Sequence, residues 1–406
     1  MSLESSLIQP LLNAKTSEDI VQSSLNFVRK HLGMEVAYLS EFVGDDLVFR
    51  AVDAPGMESM IAVGGSMPLE QVYCRHIIEG KLPELIPDTS QEPIAQKIAL
   101  TTQIPIKSHV SVPIRRKDGS VYGMFCCLSR QIQSSLNSRD LDVMKAFASL
   151  SSQQINDTIS MRTEQTRLRL IFSTIIETRD IDIVYQPIMD NLQHKPVGFE
   201  ALSRFKSEPY RPPNFWFEQA ESVEMLKNLE ICAIEVALED LKFLPKPVYL
   251  SVNASPSTIE TGRLKSVFES FDCDRIVLEV TEHAEVTNHE LLMKELSILR
   301  DVGVRLAIDD VGVGYSGLQQ IVRLQPDIIK LDISLIAGID KDIVKRSLTQ
   351  ALVGFAIEIG AKIVAEGIET EEELATLIAL NVPLGQGYLL GRPADLQSAL
   401  DWFATK

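Results

Sequence analysis

"IDIVYQPIMDNLQHKPVGFEALSR" (181–204) decides the fold of the second half of this 406-residue chain. It holds two apolar runs, 181–188 and 196–202, with only "DNLQHK" between them. A parallel crossover needs about a dozen residues or more, so the first strand is expected to run antiparallel to the second, with no helix between them. Downstream the apolar pattern alternates between strand and helix. Further strands are predicted at 247–253, 275–281, 304–310, 327–332, 362–366 and 384–390, and helices at 214–242, 288–302, 341–360 and 369–380. Eight strands with intervening helices over roughly 225 residues predict an α/β fold of the (β/α)8 barrel type.

The strands end in acids. Glu200 closes "VGFE", Asn253 closes "VYLSVN", Glu279 follows "RIVL", Asp309 and Asp310 end "RLAIDD", Lys330 ends "DIIK" and Glu366 follows "KIVA". An unpaired buried carboxylate is costly to desolvate, so acids at the ends of apolar runs imply a shared site. In a barrel of this type the C-terminal strand ends gather the chemistry. Asp310 directly follows Asp309, and the glycines of "DDVGVGYSG" are expected to end the strand and let both acids face one site. Five carboxylates and an amide oxygen, with no histidine, suit Mg2+ or Mn2+ better than zinc. That is more than one such ion takes, so two cations per active site are expected, sharing a carboxylate and activating water for in-line attack on a phosphoryl group. Lys330 is placed to orient the attacking water or to stabilise developing charge.

"YQPI" (185–188), "GFEALSR" (198–204), "SVNAS" (251–255), "LEVTE" (278–282), "IDDVGVGYSGL" (308–318), "PDIIKLD" (326–332), "VAEGIET" (364–370) and "QGYLLGRP" (386–393) together resemble the EAL family of cyclic-di-GMP phosphodiesterases. The resemblance spans residues 178–403. It implies a barrel with an antiparallel first strand and metal-dependent hydrolysis of cyclic-di-GMP to linear pGpG. By the same resemblance Glu200, Asn253, Glu279 and Asp309 hold one metal, and Asp309, Asp310 and Glu366 the second. Lys330 touches the catalytic water, Gln186 and Arg204 contact the substrate, and Glu282, Glu369 and Gln386 support the site. The chain departs from the family pattern at Val311, Val313 and Gly317, where Phe, Thr and Ser are usual. It departs again at Phe205, where Trp is usual, and at the following "SEP" in place of His-Pro. A different reading makes the chain a catalytically weak cyclic-di-GMP receptor that signals through a linker helix. The intact acid set argues against it.

Residues 1–150 read as a separate α/β domain with an antiparallel sheet. A helix over "TSEDIVQSSLNFVRKHLG" is capped by Thr16 or Ser17 and stopped by Gly33. Hairpins then turn at Gly44-Asp45-Asp46 and at Asp118-Gly119. This order, with "SVPIRRKDGSVYGMFCCLSR" (111–130), resembles a GAF-type sensor domain, though its residues name no ligand. Cys74, in "VYCRHIIEGKLPELIPD" (72–88), reads as a packed thiol rather than an attachment point for a bilin. Residues 151–177 read as a helical linker and 178–406 as the phosphodiesterase domain; the helix around the linker is one long element or two in series.

The net charge is −17. Residues 1–160 hold 14 basic and 18 acidic side chains, leaving −13 to the rest. An acidic catalytic half excludes binding long nucleic acid on a basic face, but not a small phosphodiester neutralised by cations. No run of about 18 residues is apolar without charges, so no membrane insertion is expected. The opening "MSLESSLIQPLLNAK" lacks a signal-peptide pattern, and five cysteines without paired spacing read as reduced thiols. The expected protein is cytoplasmic and homodimeric.

Overall fold

The structure, a computed structural model, describes residues 16–206, 210–281, 288–312 and 321–404. They fall into two compact units, Met1–Glu164 and Gln165–Lys406. The first is built on a sheet of six strands: β1 (Val36–Val43), β2 (Asp46–Asp53), β3 (Ser66–Pro68), β4 (Leu85–Ile86), β5 (Ser108–Arg115) and β6 (Val121–Ser129). They are antiparallel throughout, in the order β3-β2-β1-β6-β5-β4. Both expected hairpins form, β1–β2 turning with Gly44 at φ 61° and β5–β6 with Gly119 at φ 84°.

Period-2 alternation divides the sheet's side chains between two cores. Ala37, Leu39, Phe125 and Cys127 pack under the helix Ser17–His31 and the start of the helix Ser138–Thr178. Tyr38, Met124, Cys126 and Leu128 face the opposite core, beneath the short helix Tyr73–Ile78. The first helix opens on a capping box in which the Thr16 side chain accepts from the Asp19 amide and Asp19 accepts from the Thr16 amide. Such a cap contributes about 1 kcal/mol. Gly123 is obligatory, because a Cβ there would lie 1.8 Å from the Ser40 carbonyl oxygen.

The helix that the sequence left as one or two is a single element, Ser138–Thr178. Its apolar spacing fails to hold heptads because a polar ladder serves the β5–β6 hairpin instead. Ser152 Oγ and Asn156 Nδ2 both donate to the Arg115 carbonyl, and Lys117 Nζ donates to Ser160 Oγ.

The second unit is a closed eight-stranded barrel of β7 (Asp182–Asp190), β8 (Lys195–Arg204), β9 (Tyr249–Asn253), β10 (Ile276–Thr281), β11 (Arg305–Val311), β12 (Ile328–Leu331), β13 (Lys362–Ala365) and β14 (Leu384–Gly385). As the loop length requires, β7 runs antiparallel to β8, and also to β14, while every other neighbouring pair is parallel. Residues facing the helices, among them Phe199, Leu250, Leu278 and Ile329, join one large core. Those facing the barrel axis form a smaller apolar plug of Ile188, Tyr249, Val277, Ala307, Ile328, Val364 and Leu384. The site lies one layer above that plug, toward the C-terminal strand ends.

Two expected elements differ. The helix predicted over 214–242 is broken into Pro213–Ser222 and Leu226–Glu239, with Glu224 at φ 63° between them. No glycine or proline marks that break; Met225 N donates to the Ala220 carbonyl and closes the first helix. The last strand, predicted to reach 390, pairs only at Leu384–Gly385. After it the chain turns at Gly387, where a Cβ would lie 2.2 Å from the Ile368 backbone. Among the described residues, no helix is long and apolar enough to cross a membrane.

Candidate functional site

β8 and β9 present Glu200, Ser251 and Asn253 to the barrel axis because alternate strand residues share a face, and β10 adds Glu279 in register with Asn253. β11 adds Asp309, β12 adds Lys330, and Glu366 follows β13, its amide bonded to the Leu331 carbonyl at 3.0 Å. Lys330, 1% exposed, lies at the centre. Its Nζ is 2.7 Å from Glu279 Oε2, 2.8 Å from Glu366 Oε1, and 3.2 Å from both Glu200 Oε2 and Asp309 Oδ1. Four carboxylates therefore crowd one ammonium that has three protons to give.

Glu200 is held by further donors: Asn253 Nδ2 to Oε1 at 3.1 Å, and Gln386 Nε2 to Oε2 at 2.7 Å. Gln386 also donates to Gln186 Oε1 at 3.1 Å, which ties the first strand to the last. Ser251 Oγ donates to Glu279 Oε1.

Asp309 and Asp310 both serve the site, although neighbours on a strand normally point to opposite faces. The reorientation comes from Asp310 itself, at φ 59°, where the β11–β12 register shifts between Ile308 and Val311. The glycines of "DDVGVGYSG" were expected to permit it; instead the bend precedes them. Asp tolerates the left-handed region better than most residues. Ligand atoms of Asp309, Asp310 and Glu366 all lie within 4.8 Å of one another.

The electrostatics record a shortage of positive charge. Burial pushes Glu279 up, the nearby Glu200 charge adds to it, and the carboxyl reaches about 8. Burial likewise holds Glu366 well above the carboxylate range. Burial also opposes ionisation of Glu200, but Lys330, Gln386 and Asn253 outweigh it and keep Glu200 below its ordinary value. Lys330 is raised well above its ordinary range, since four acids overcome its desolvation.

The other expected residues take different places. Arg204 does not enter the ring; its guanidinium donates to the Ser203 carbonyl at 2.8 Å. It lines a cavity of about 390 Å³ together with Asn253 and Glu230. Glu369 lines a second cavity, of about 330 Å³, with Gln186, Glu200, Glu366, Gln386 and Tyr388. Glu282, and the departures at Val313, Gly317 and "SEP", lie outside the described residues, whereas Val311 is a buried strand residue and Phe205 packs against Trp216.

The EAL domain family model matches residues 169–393, more than half of the chain. The chain belongs to the EAL domain family. A GAF domain model matches residues 14–156. The cyclic di-GMP phosphodiesterase NbdA of Pseudomonas aeruginosa is 31% identical over 255 residues, which cover 59% of this chain and 32% of that protein. Among solved structures, the PaMucR phosphodiesterase in complex with c-di-GMP is 26% identical at a TM-score of 0.52, covering 58% of this chain and 100% of that one. An EAL domain protein from Listeria monocytogenes EGD-e is 25% identical at a TM-score of 0.53, covering 58% of this chain and 96% of the other. The match spans only about a third to a half of the length of the curated relatives.

In the EAL domain, sequence reasoning missed three supporting residues. Ser251 was legible in principle, two residues before Asn253 on the same strand face. Glu230, on the helix Leu226–Glu239, receives both the amide and the hydroxyl of Ser255 and so fixes the loop after β9. Glu373 receives the amides of Gly338, Glu369 and Thr370, and its signal was the T-x-x-E capping box at Thr370.

Proposed function

We propose that this chain hydrolyses cyclic di-GMP to linear pGpG with two divalent cations, Mg2+ or Mn2+, and that its N-terminal GAF-type unit regulates that reaction. One observation carries the reading: four carboxylates, Glu200, Glu279, Asp309 and Glu366, lie within 3.2 Å of a single buried lysine ammonium. The donor set fits hard cations, being carboxylates and an amide with no soft ligand. Glu200, Asn253, Glu279 and Asp309 would hold one ion, and Asp309, Asp310 and Glu366 the other. When bound, such a pair supplies Lewis-acid charge to a phosphoryl oxygen and lowers the pKa of water.

The chain's own residues do the rest. Lys330, held in place by the acids, keeps its ammonium beside the reacting centre, where it orients water and offsets charge developing on phosphorus. Gln386 and Gln186 fix Glu200, so the ligand geometry is set before substrate arrives. The cavities on either side, one with Arg204 and one with Gln186 and Tyr388, suit a compact ligand with two bases and two phosphates. Exposed apolar side chains on one face of the helix Ile343–Ile359, Ile343 and Ile357 among them, would give a cytoplasmic homodimer a surface to bury.

The test is chromatography of cyclic di-GMP incubated with the purified chain and Mn2+. Linear product is expected, and a chelator should abolish it; tight binding with no linear product would sink the enzyme reading in favour of a receptor. Arg204→Ala is expected to raise KM about ten- to a hundredfold with kcat little changed, the scale of a charge-assisted hydrogen bond to phosphate. Steady-state kinetics check that split.

Stability should depend on pH. Protonated Glu279 contributes stability that is complete below the ordinary carboxylate range and is lost as pH rises through about 8. The metal-free chain is therefore expected to melt lower at about pH 9 than at about pH 6, and Mn2+ to remove most of that difference. Thermal melts with and without metal measure it; a metal-free melting temperature that rises with pH would contradict the charge shortage.

A further inference from the structure

The N-terminal unit holds a second cluster of reactive side chains that the proposed phosphodiester chemistry does not use. Cys126 of β6 pairs in register with Tyr38 of β1 and Ser111 of β5, so one row of the sheet carries all three on one face. Cys74, on the helix Tyr73–Ile78, lies over that row with its Sγ 3.7 Å from Cys126 Sγ. Both thiols are fully buried. Ser111 Oγ lies 3.0 Å from Cys126 Sγ and Tyr38 Oη 4.0 Å from Cys74 Sγ. His109, two residues before Ser111 and 1% exposed, stacks on Tyr73 at 4.5 Å beside this row.

We infer that Cys74 and Cys126 are a modification site, forming a reversible disulfide when the chain meets a small peroxide. The two sulfurs are in contact, 3.7 Å apart across 52 residues of sequence. Their roles are unequal. Burial opposes ionisation of Cys126, but the hydrogen bond from Cys74 and the nearby His109 outweigh it and bring that thiol down to about 5. The same hydrogen bond, with burial, holds Cys74 well above the thiol range. Cys126 is therefore the nucleophile and Cys74 the resolving thiol. Tyr38, directly opposite Cys126, forms one wall of an apolar cavity of about 270 Å³ shared with Phe49, Met60, Met67 and Leu128; neither thiol lines it, so the peroxide must pass the Tyr38 side chain to reach them.

In the first step the Cys126 thiolate attacks one peroxide oxygen; an S–O bond forms, the O–O bond breaks, and the departing hydroxide takes up a proton to become water. In the second the Cys74 sulfur attacks that sulfenic acid; an S–S bond replaces the S–O bond, and water leaves with the Cys74 proton. Two thiols thus give up two electrons, and one peroxide becomes two waters. A thiol reductant reverses the change.

The test uses the full chain, reduced, freed of reductant and exposed to hydrogen peroxide, with thiols counted after denaturation and peptides mapped by mass spectrometry. The count is expected to fall from five to three, with Cys74 and Cys126 bridged and dithiothreitol restoring all five. Cys74→Ser is expected to stop at a sulfenic acid on Cys126 that dimedone traps. Cys126→Ser is expected to leave Cys74 reduced, with unchanged circular dichroism. The inference is overturned if the half-buried Cys273 oxidises while Cys74 and Cys126 stay reduced, or if elemental analysis finds one zinc per chain held by these two thiols. Trapping at Cys74 rather than Cys126 would overturn the assigned roles.

Discussion

Glu200→Gln is expected to leave a folded chain whose turnover of cyclic di-GMP falls by about a thousandfold or more, the ~4 kcal/mol of transition-state stabilisation that losing one charged ligand removes. Glutamine keeps one acceptor oxygen for Gln386 and Lys330, while its amide nitrogen replaces the oxygen that accepts from Asn253, so Asn253 must turn its own amide over to keep that contact. What disappears is one negative charge from a cluster that holds too many. The metal-free variant is nevertheless expected to melt somewhat below wild type at neutral pH, because Lys330, Gln386 and Asn253 hold Glu200 below its ordinary value and its charge therefore stabilises the fold; relief of Glu279, pushed up in part by that charge, offsets part of the loss. Added Mn2+ should then stabilise the variant less than wild type. For a site filled to about a hundred times its Kd the wild-type gain is about 2.7 kcal/mol, several degrees for a unit of this size. Calorimetry and product chromatography together check the prediction. Full turnover in Glu200→Gln would show that the carboxylate ring is not the metal site.

Much of this arrangement was legible because barrel strands bury both faces. In such strands apolar residues run continuously, so a polar residue at the C-terminal end stands out: Glu200, Asn253, Glu279, Asp309 and Lys330 were all found that way. The antiparallel first strand followed from the length of "DNLQHK" alone. What was not legible depends on backbone conformation or on contacts distant in sequence. Asp310 turns toward the site through its own left-handed φ, which no residue pattern announces. The break at Glu224 has no glycine or proline to signal it. Lys330 read as a partner for water, yet all four of its near neighbours are carboxylates, a fact of strand order rather than of its local sequence. Cys74 read as an isolated packed thiol because its partner, Cys126, comes from the far hairpin.

In its response to Mn2+, Lys330→Met should act in the opposite sense to Glu200→Gln, and the contrast tests the charge argument directly. Methionine fills the same volume in a 1%-exposed position, so packing is largely kept. Removing the ammonium leaves Glu200, Glu279, Asp309 and Glu366 facing one another with no internal cation. Breaking a buried ion pair from one side costs about 3–5 kcal/mol, which lowers the melting temperature by roughly 6–20 °C for a unit of this size. The loss should shrink toward low pH, since Glu279 and Glu366 already favour protonation and shed their repulsion by taking up protons. Divalent cations offer the other route to relief. Mn2+ is therefore expected to raise the melting temperature of Lys330→Met by more than it raises wild type, while turnover stays low because no ammonium is left beside the reacting phosphate. A variant that Mn2+ stabilises no more than wild type would mean that the lysine and the metals do not answer the same negative charge, and the two-cation reading would have to be given up.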